Sequence, residues 1–194
     1  MELIYQKYQE KCSTISDINE HLPTLRKYAE ECESVVEMGV RGIVSTWAFL
    51  SAKPKKLISL DLSHPSSFGG NLEEVIQLSL ENGIEFEFVE KSSLEYEMPN
   101  ADLLFIDTWH DYLQLKKEMF RHHSKVNKYI ILHDTTTFGY IDESFYDEYG
   151  NSRPETNLPK GLYPAVDEFL FANKEWRLWE KKSNNNGLTI LKKF

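Results

Sequence analysis

Four acidic residues stand where apolar runs end. Glu37 follows Val35-Val36, Asp61 follows Leu57-Ile58-Ser59-Leu60, Asp107 follows Leu103-Leu104-Phe105-Ile106, and Asp134 follows Tyr129-Ile130-Ile131-Leu132 and His133. Carboxylates at such positions can accept hydrogen bonds from the two hydroxyls of a ribose, or hold a hard cation at ligand distances of about 2.1 Å. If the last two runs are neighbouring strands, their axes lie about 4.8 Å apart, close enough for Asp107 and Asp134 to share one ion. Each carboxylate could instead cap a turn or a helix; four at one edge favour a common site. His110 lies three residues beyond Asp107, at an expected helix start. The positive end of a helix dipole disfavours imidazolium, and a neutral ring there could accept a proton. A surface histidine donating to a carbonyl is the plain alternative.

The first of these runs leads into Gly39-Val40-Arg41-Gly42-Ile43-Val44-Ser45-Thr46. Glycines at 39 and 42 allow a sharp turn and let a ligand come close to the main chain. Ser45 and Thr46 can hydrogen-bond free N–H groups at the start of the next helix, or a ligand placed there. The interval from Gly39 to Asp61 fits one strand–helix–strand unit, which places Asp61 to accept both hydroxyls of an adenosine ribose. The alternative for Asp61 is a turn cap.

These tips need a scaffold. Apolar runs at 35–36, 57–60, 86–89, 102–106 and 129–132 alternate with helical patterns, which predicts an α/β fold: a Rossmann-like, doubly wound, mainly parallel sheet. Trp176–Glu180 and Leu188–Leu191 flank Ser183-Asn184-Asn185-Asn186-Gly187 and predict a C-terminal antiparallel hairpin, bringing the sheet to about seven strands. Residues 1–33 read as a helical lead-in, with Leu3, Ile4 and Tyr8 on one face and Pro23 in the first turn of a second helix. Asn71 and Glu74 form a capping-box pattern ahead of a stripe of Leu72, Val75, Ile76 and Leu80. Tyr112, Leu115, Met119 and Phe120 mark the inner face of a later helix. The pair His122-His123 falls near that helix's C-terminus, where cations are favoured. Residues 138–163 lack a period and read as a lid or substrate loop. Glu90-Lys91-Ser92-Ser93 follows the third run and could line an adenine pocket or form a solvated turn.

The chain has 194 residues, which fits one domain over 1–194, and a net charge of −9. That balance opposes nonspecific binding to nucleic acid or to an anionic membrane, so a small-molecule partner is expected. No apolar run reaches the roughly 18 residues of a membrane helix, and Met1–Lys7 lacks the apolar core of a secretory signal, so a cytoplasmic location is expected. The two cysteines, Cys12 and Cys32, lack metal-site spacing. A homo-oligomer stays open.

The ordered set of motifs resembles class I S-adenosylmethionine-dependent methyltransferases. It is most similar to the small-molecule O-methyltransferases of the catechol and antibiotic-sugar types and their cephalosporin hydroxylase-like relatives. The resemblance rests on Glu37-Met38-Gly39-Val40-Arg41-Gly42 with Ser45-Thr46, on Asp61, on Leu104-Phe105-Ile106-Asp107-Thr108-Trp109-His110-Asp111-Tyr112, on Ile131-Leu132-His133-Asp134-Thr135 and on Asn185-Asn186-Gly187-Leu188-Thr189-Ile190-Leu191. It covers about residues 33–194.

The resemblance implies that Glu37, Gly39 and Ser45 surround the methionine part of S-adenosylmethionine, with Arg41, Gly42 and Asp107 also on the cofactor. It implies Asp61 on the ribose and Ser92 or Ser93 near the adenine. Asp107 and Asp134 would hold Mg2+ or another divalent cation, with Thr135 where many relatives place an asparagine ligand, and His110 would stand near a catalytic base. Arg41 replaces a glycine common in relatives. The expected reaction moves a methyl group to a hydroxyl of a small molecule, a sugar or a phenol. Two alternatives stand beside it: an NAD-dependent oxidoreductase, against which the incomplete glycine pattern counts, and a non-catalytic binding module on the same fold.

Overall fold

Successive side chains of a strand point to opposite faces, and the apolar runs use both faces. In β4 (Ala101–Ile106), Leu103 and Phe105 enter one core layer while Leu104 and Ile106 enter the other. In β1 (Ser34–Met38), Val35 faces the first layer and Val36 and Met38 the second. A sheet buried on both sides needs helices on both sides, and the chain supplies them. The computed structural model describes residues 1–144, 146, 150–152 and 158–194.

On the first face lie α1 (Glu2–Ser13), α2 (Leu22–Ala29), α3 (Ser45–Ser51) and α4 (Leu72–Glu81). On the second lie α5 (Tyr112–His122) and α6 (Leu162–Ala172). The remaining strands are β2 (Lys56–Asp61), β3 (Glu85–Glu90), β5 (Val126–His133), β6 (Trp176–Lys182) and β7 (Leu188–Lys193). They form one seven-stranded sheet in the order β3-β2-β1-β4-β5-β7-β6. The first five are parallel, and β7 and β6 run antiparallel, so the α/β sheet with its C-terminal hairpin is as expected. Asn185, Asn186 and Gly187 take positive φ in the hairpin turn, as their residue types allow. Among the described residues no helix is long and apolar enough to cross a membrane.

Several helix faces differ from the periodicity. Leu3 is exposed while Ile4 and Tyr8 are buried, because α1 rests on α3 along a narrow stripe. In α4, Ile76 and Leu80 face solvent and Leu72, Val75 and Leu78 face the core; the Asn71 cap on the Glu74 N–H is present. In α5, Phe120 is half-exposed, and Gln114, Glu118 and His122 take buried positions. His122 is therefore no surface cation: burial pushes its pKa down, and its Nε2 meets the Ser93 carbonyl at 2.8 Å. Part of the expected lid, residues 145, 147–149 and 153–157, lies outside the described residues. Of the rest, Phe138 and Gly139 accept backbone hydrogen bonds from Leu162 and Tyr163, tying that stretch to the start of α6.

The strand tips meet at Gly39. The Asp107 N–H donates to the Met38 carbonyl at 2.8 Å, and the Gly39 N–H to the Leu60 carbonyl at 2.9 Å, so β2, β1 and β4 are joined beyond their ladders. Gly39 has φ +90°, and a Cβ there would lie 1.9 Å from the Asp107 carbonyl oxygen. The missing side chain thus makes room for the neighbouring strand. The substitution Gly39→Ala combines an unfavourable φ with a backbone clash and is expected to cost at least about 2 kcal/mol, read as a lower urea midpoint.

Candidate active site

Beyond the tips, the chain builds its site from short loops. The Asp61 carboxylate anchors the glycine turn. Its Oδ2 accepts from the Val40 and Arg41 N–H groups at 2.8 and 2.9 Å, and its Oδ1 accepts from the Ser63 N–H at 3.0 Å. Arg41 takes φ +44°, and its guanidinium pairs with Asp17 at 3.1 Å, linking the turn to the segment between α1 and α2.

Glu37 is placed differently from a cavity wall. It is fully buried, and its carboxylate accepts from Ser45 Oγ, from Thr46 Oγ1 at 2.8 Å and from Ser59 Oγ at 2.6 Å. The two helix-start hydroxyls therefore serve Glu37 and cap no helix. Burial raises the Glu37 pKa to about 7 against the pull of the three hydroxyls.

Asp107, His110 and Asp134 converge. One ligand atom from each lies within 4.8 Å of the others. His110 Nε2 stands 3.3 Å from Asp107 Oδ1 and 3.1 Å from Asp134 Oδ2, and His110 Nδ1 donates to Glu143 at 2.9 Å. The ring stacks on Phe138 at 5.0 Å between centroids. His110 precedes Asp111, the N-cap of α5, so it sits at the helix start as expected. Its charge is the reverse of the expectation. Burial alone would lower the pKa, but hydrogen bonds to Asp107 and Glu143 and the charges of Asp107 and Asp134 raise it to about 10. Three carboxylates outweigh one helix dipole, whose end is worth about half a charge.

A second imidazole completes the cluster. His133 is buried, with Nδ1 3.2 Å from Asp107 Oδ1 and Nε2 3.3 Å from the Asn185 carbonyl. Burial lowers its pKa, and Asp107 and Asp134 raise it further, to about 9. Burial would raise the Asp107 pKa, but the two histidines hold it well below the carboxylate range. Burial pushes Asp134 upward in spite of them. Asp134 has φ +57°, and its Oδ1 is buried without a hydrogen-bond partner. Two carboxylates, one with an orphaned oxygen, and an imidazole nitrogen form a donor set that fits a divalent cation. The Thr135 hydroxyl is buried and accepts from Thr189 Oγ1 at 2.9 Å, on β7.

A cavity of about 340 Å³ opens beside the cluster, within the usual range for small-molecule sites. Gly39, Arg41, Asp61, Ser93, Asp107 and His110 line it, together with Leu62, Phe68, Lys91, Thr108, Trp109 and Glu143. A second cavity of about 310 Å³ lies across the glycine turn and includes Gly39, Arg41, Gly42, Ser45 and Asp107, with Asp17 and Ile18 of the lead-in. Ser92 is buried, and its Oγ accepts from the Leu94 N–H in the same turn.

Sequence reading missed Glu143, Glu118 and the charged state of His133. Glu143 falls in the aperiodic stretch and carries no signal. Glu118 had one: Gln114, Glu118 and His122 recur every four residues beside Leu115 and Met119, placing polar groups on the inner side of α5.

No family model matches the chain, and no curated protein matches it in sequence. Solved structures do match in shape. The Podospora anserina methyltransferase PaMTH1, bound to S-adenosylhomocysteine, superposes with a TM-score of 0.61 at 13% identity, over 98% of this chain and 87% of its own. An O-methyltransferase from Bacillus cereus, also in complex with S-adenosylhomocysteine, gives 0.64 at 13% identity, over 100% and 91%. A ribosomal protein L11 methylase from Lactobacillus delbrueckii gives 0.54 at 12% identity, over 89% and 77%. At such identities the likeness speaks for architecture, and with the strand order it establishes that this chain has the class I S-adenosylmethionine-dependent methyltransferase fold.

Proposed function

We propose that the chain is an S-adenosylmethionine-dependent methyltransferase that transfers a methyl group to a hydroxyl of a small molecule, with a divalent cation at Asp107, His110 and Asp134. The observation that carries this reading is the single cavity running from Asp61, past Gly39, to Asp107 and His110. A carboxylate able to accept from ribose hydroxyls and two of the three cation-site residues thus share one cavity. The complexes of the Podospora and Bacillus proteins with S-adenosylhomocysteine support the choice of cofactor.

S-adenosylmethionine supplies, when bound, a methyl group activated by a sulfonium charge, and a divalent cation supplies a positive centre that lowers the pKa of an acceptor hydroxyl. The chain's own groups do the rest. Asp61 faces the ribose from the tip of β2. Asp107, close to both cavities, contributes negative charge near a cationic donor. His110 would hold the cation through Nε2, giving up the proton that its carboxylates stabilise, with the Nδ1–H kept on Glu143. Trp109, whose Nε1 donates to the Tyr146 carbonyl at 3.0 Å, forms a flat wall suited to an acceptor ring or the cofactor base.

Calorimetric titration with S-adenosylhomocysteine and with NAD tests the reading; heat from NAD alone would replace it with a dehydrogenase. Asp61→Ala is expected to weaken S-adenosylhomocysteine binding about tenfold or more, since it removes the ribose acceptor and frees two turn amides. Cation binding has its own signature. Because His110 holds its proton up to about pH 10, binding of Mn2+ near pH 7 must displace it. Affinity is therefore expected to rise with pH, with close to one proton released per ion, measured in buffers of different ionisation enthalpy. Asp134→Asn is expected to abolish Mn2+ binding and leave S-adenosylhomocysteine affinity within about twofold.

A further inference from the structure

Glu118 has no part in the reaction proposed above, yet it is a fully buried carboxylate in the middle of α5. Its Oε1 accepts three hydrogen bonds: from Ser93 Oγ at 2.5 Å, from Thr108 Oγ1 at 2.7 Å and from Gln114 Nε2 at 2.9 Å. Ser93 follows β3 and Thr108 follows β4, and both line the 340 Å³ cavity. A hydroxyl carries one hydrogen, and both hydrogens are directed at Glu118. Only lone pairs remain for the cavity. Ser93 Oγ also accepts from Gln114 Nε2 at 3.2 Å, which fixes it further. These two hydroxyls can therefore accept hydrogen bonds from the cavity and do not donate to it. Leu62, Phe68 and Trp109 line the same cavity and offer apolar surface for a planar base.

We propose that Glu118 is a positioning residue that makes the Ser93 and Thr108 hydroxyls accept-only, and so selects a nucleoside base with an exocyclic amine, adenine, over one with a carbonyl facing those hydroxyls, hypoxanthine. The inference rests on the cofactor reading of the cavity. An amine donates to Ser93 and Thr108. A carbonyl oxygen meets their lone pairs, and neither hydroxyl can turn without abandoning a buried carboxylate. Without that carboxylate both hydroxyls rotate freely and can donate to a carbonyl.

The test is calorimetric titration with S-adenosylhomocysteine and S-inosylhomocysteine. The wild type is expected to prefer the adenosyl compound by about 10- to 100-fold, the range for an unmatched buried polar group. Glu118→Leu should reduce the preference to about threefold or less, whereas Glu118→Gln, which keeps an acceptor oxygen, should retain most of it. Thr108→Val alters the wall itself; it should weaken adenosyl binding and spare inosyl binding, and it reads the same claim if Glu118→Leu fails to fold. Equal wild-type affinities, or a preference that survives both Glu118→Leu and Thr108→Val, would overturn the proposal. Heat from S-adenosylhomocysteine without preference sinks this inference alone; no heat from either compound sinks the cofactor reading and this inference together.

Discussion

Two strand tips lie side by side at the end of this sheet because position 39 carries no side chain. The Asp107 carbonyl occupies the space a Cβ would take, and the Asp107 N–H closes on Met38. From that contact the rest of the site follows. The turn after Gly39 bends over Asp61, whose carboxylate gathers two of its amides, and the segment after Asp107 starts beside β1 and not beyond it. A glycine usually explained by ligand approach is here also a packing requirement between neighbouring strands.

The second constraint is the cost of enclosing charge. Buried carboxylates need partners, and the chain meets that need in three ways. Glu37 receives three hydroxyls, Glu118 receives two hydroxyls and an amide, and Asp107 stands between two imidazoles. In the first two networks the carboxylates accept from the protein's own side chains, which fix them in place. The third brings Asp107, Asp134 and two imidazoles together, with one Asp134 oxygen buried and without a hydrogen-bond partner.

Much of this was legible in the residues. Four of the five parallel strands were visible as short β-branched and apolar runs, because strands buried on both faces leave little room for polar alternation, and the edge strand β3 was visible as an alternation of Phe and Glu. The hairpin was visible in Asn184-Asn185-Asn186-Gly187, whose residues accept positive φ. The acidic tips were visible because each closes an apolar run. What could not be read was the company each tip keeps. Asp61, Asp107 and Asp134 face the site, but Glu37, with the same sequence signature, turns inward to Ser45, Thr46 and Ser59. His110 was placed correctly at a helix start and assigned the wrong charge, because Glu143 comes from a stretch without period and its arrival depends on the whole loop path. Leu3, Ile76 and Leu80 looked like core and lie outside, since a helix stripe says nothing of how wide the partner surface is.

The turn at residues 184–187 has a reach out of proportion to its size. The Asn186 carbonyl accepts from the Thr136 and Thr137 N–H groups, Asn185 bonds the Ser16 carbonyl and the Glu20 N–H, and the His21 ring donates to Asn184. Gly187 sits so tightly on Thr136 that a Cβ would approach its hydroxyl to 2.3 Å. The first and last segments of the chain thus clasp the end of β5 between them. On a ribosome, the parallel strands can pair as they emerge, but the loops around Asp134 acquire their mould only when that final hairpin leaves the exit tunnel. These loops therefore take their shape after the parallel strands, once β7 is present to pair with β5.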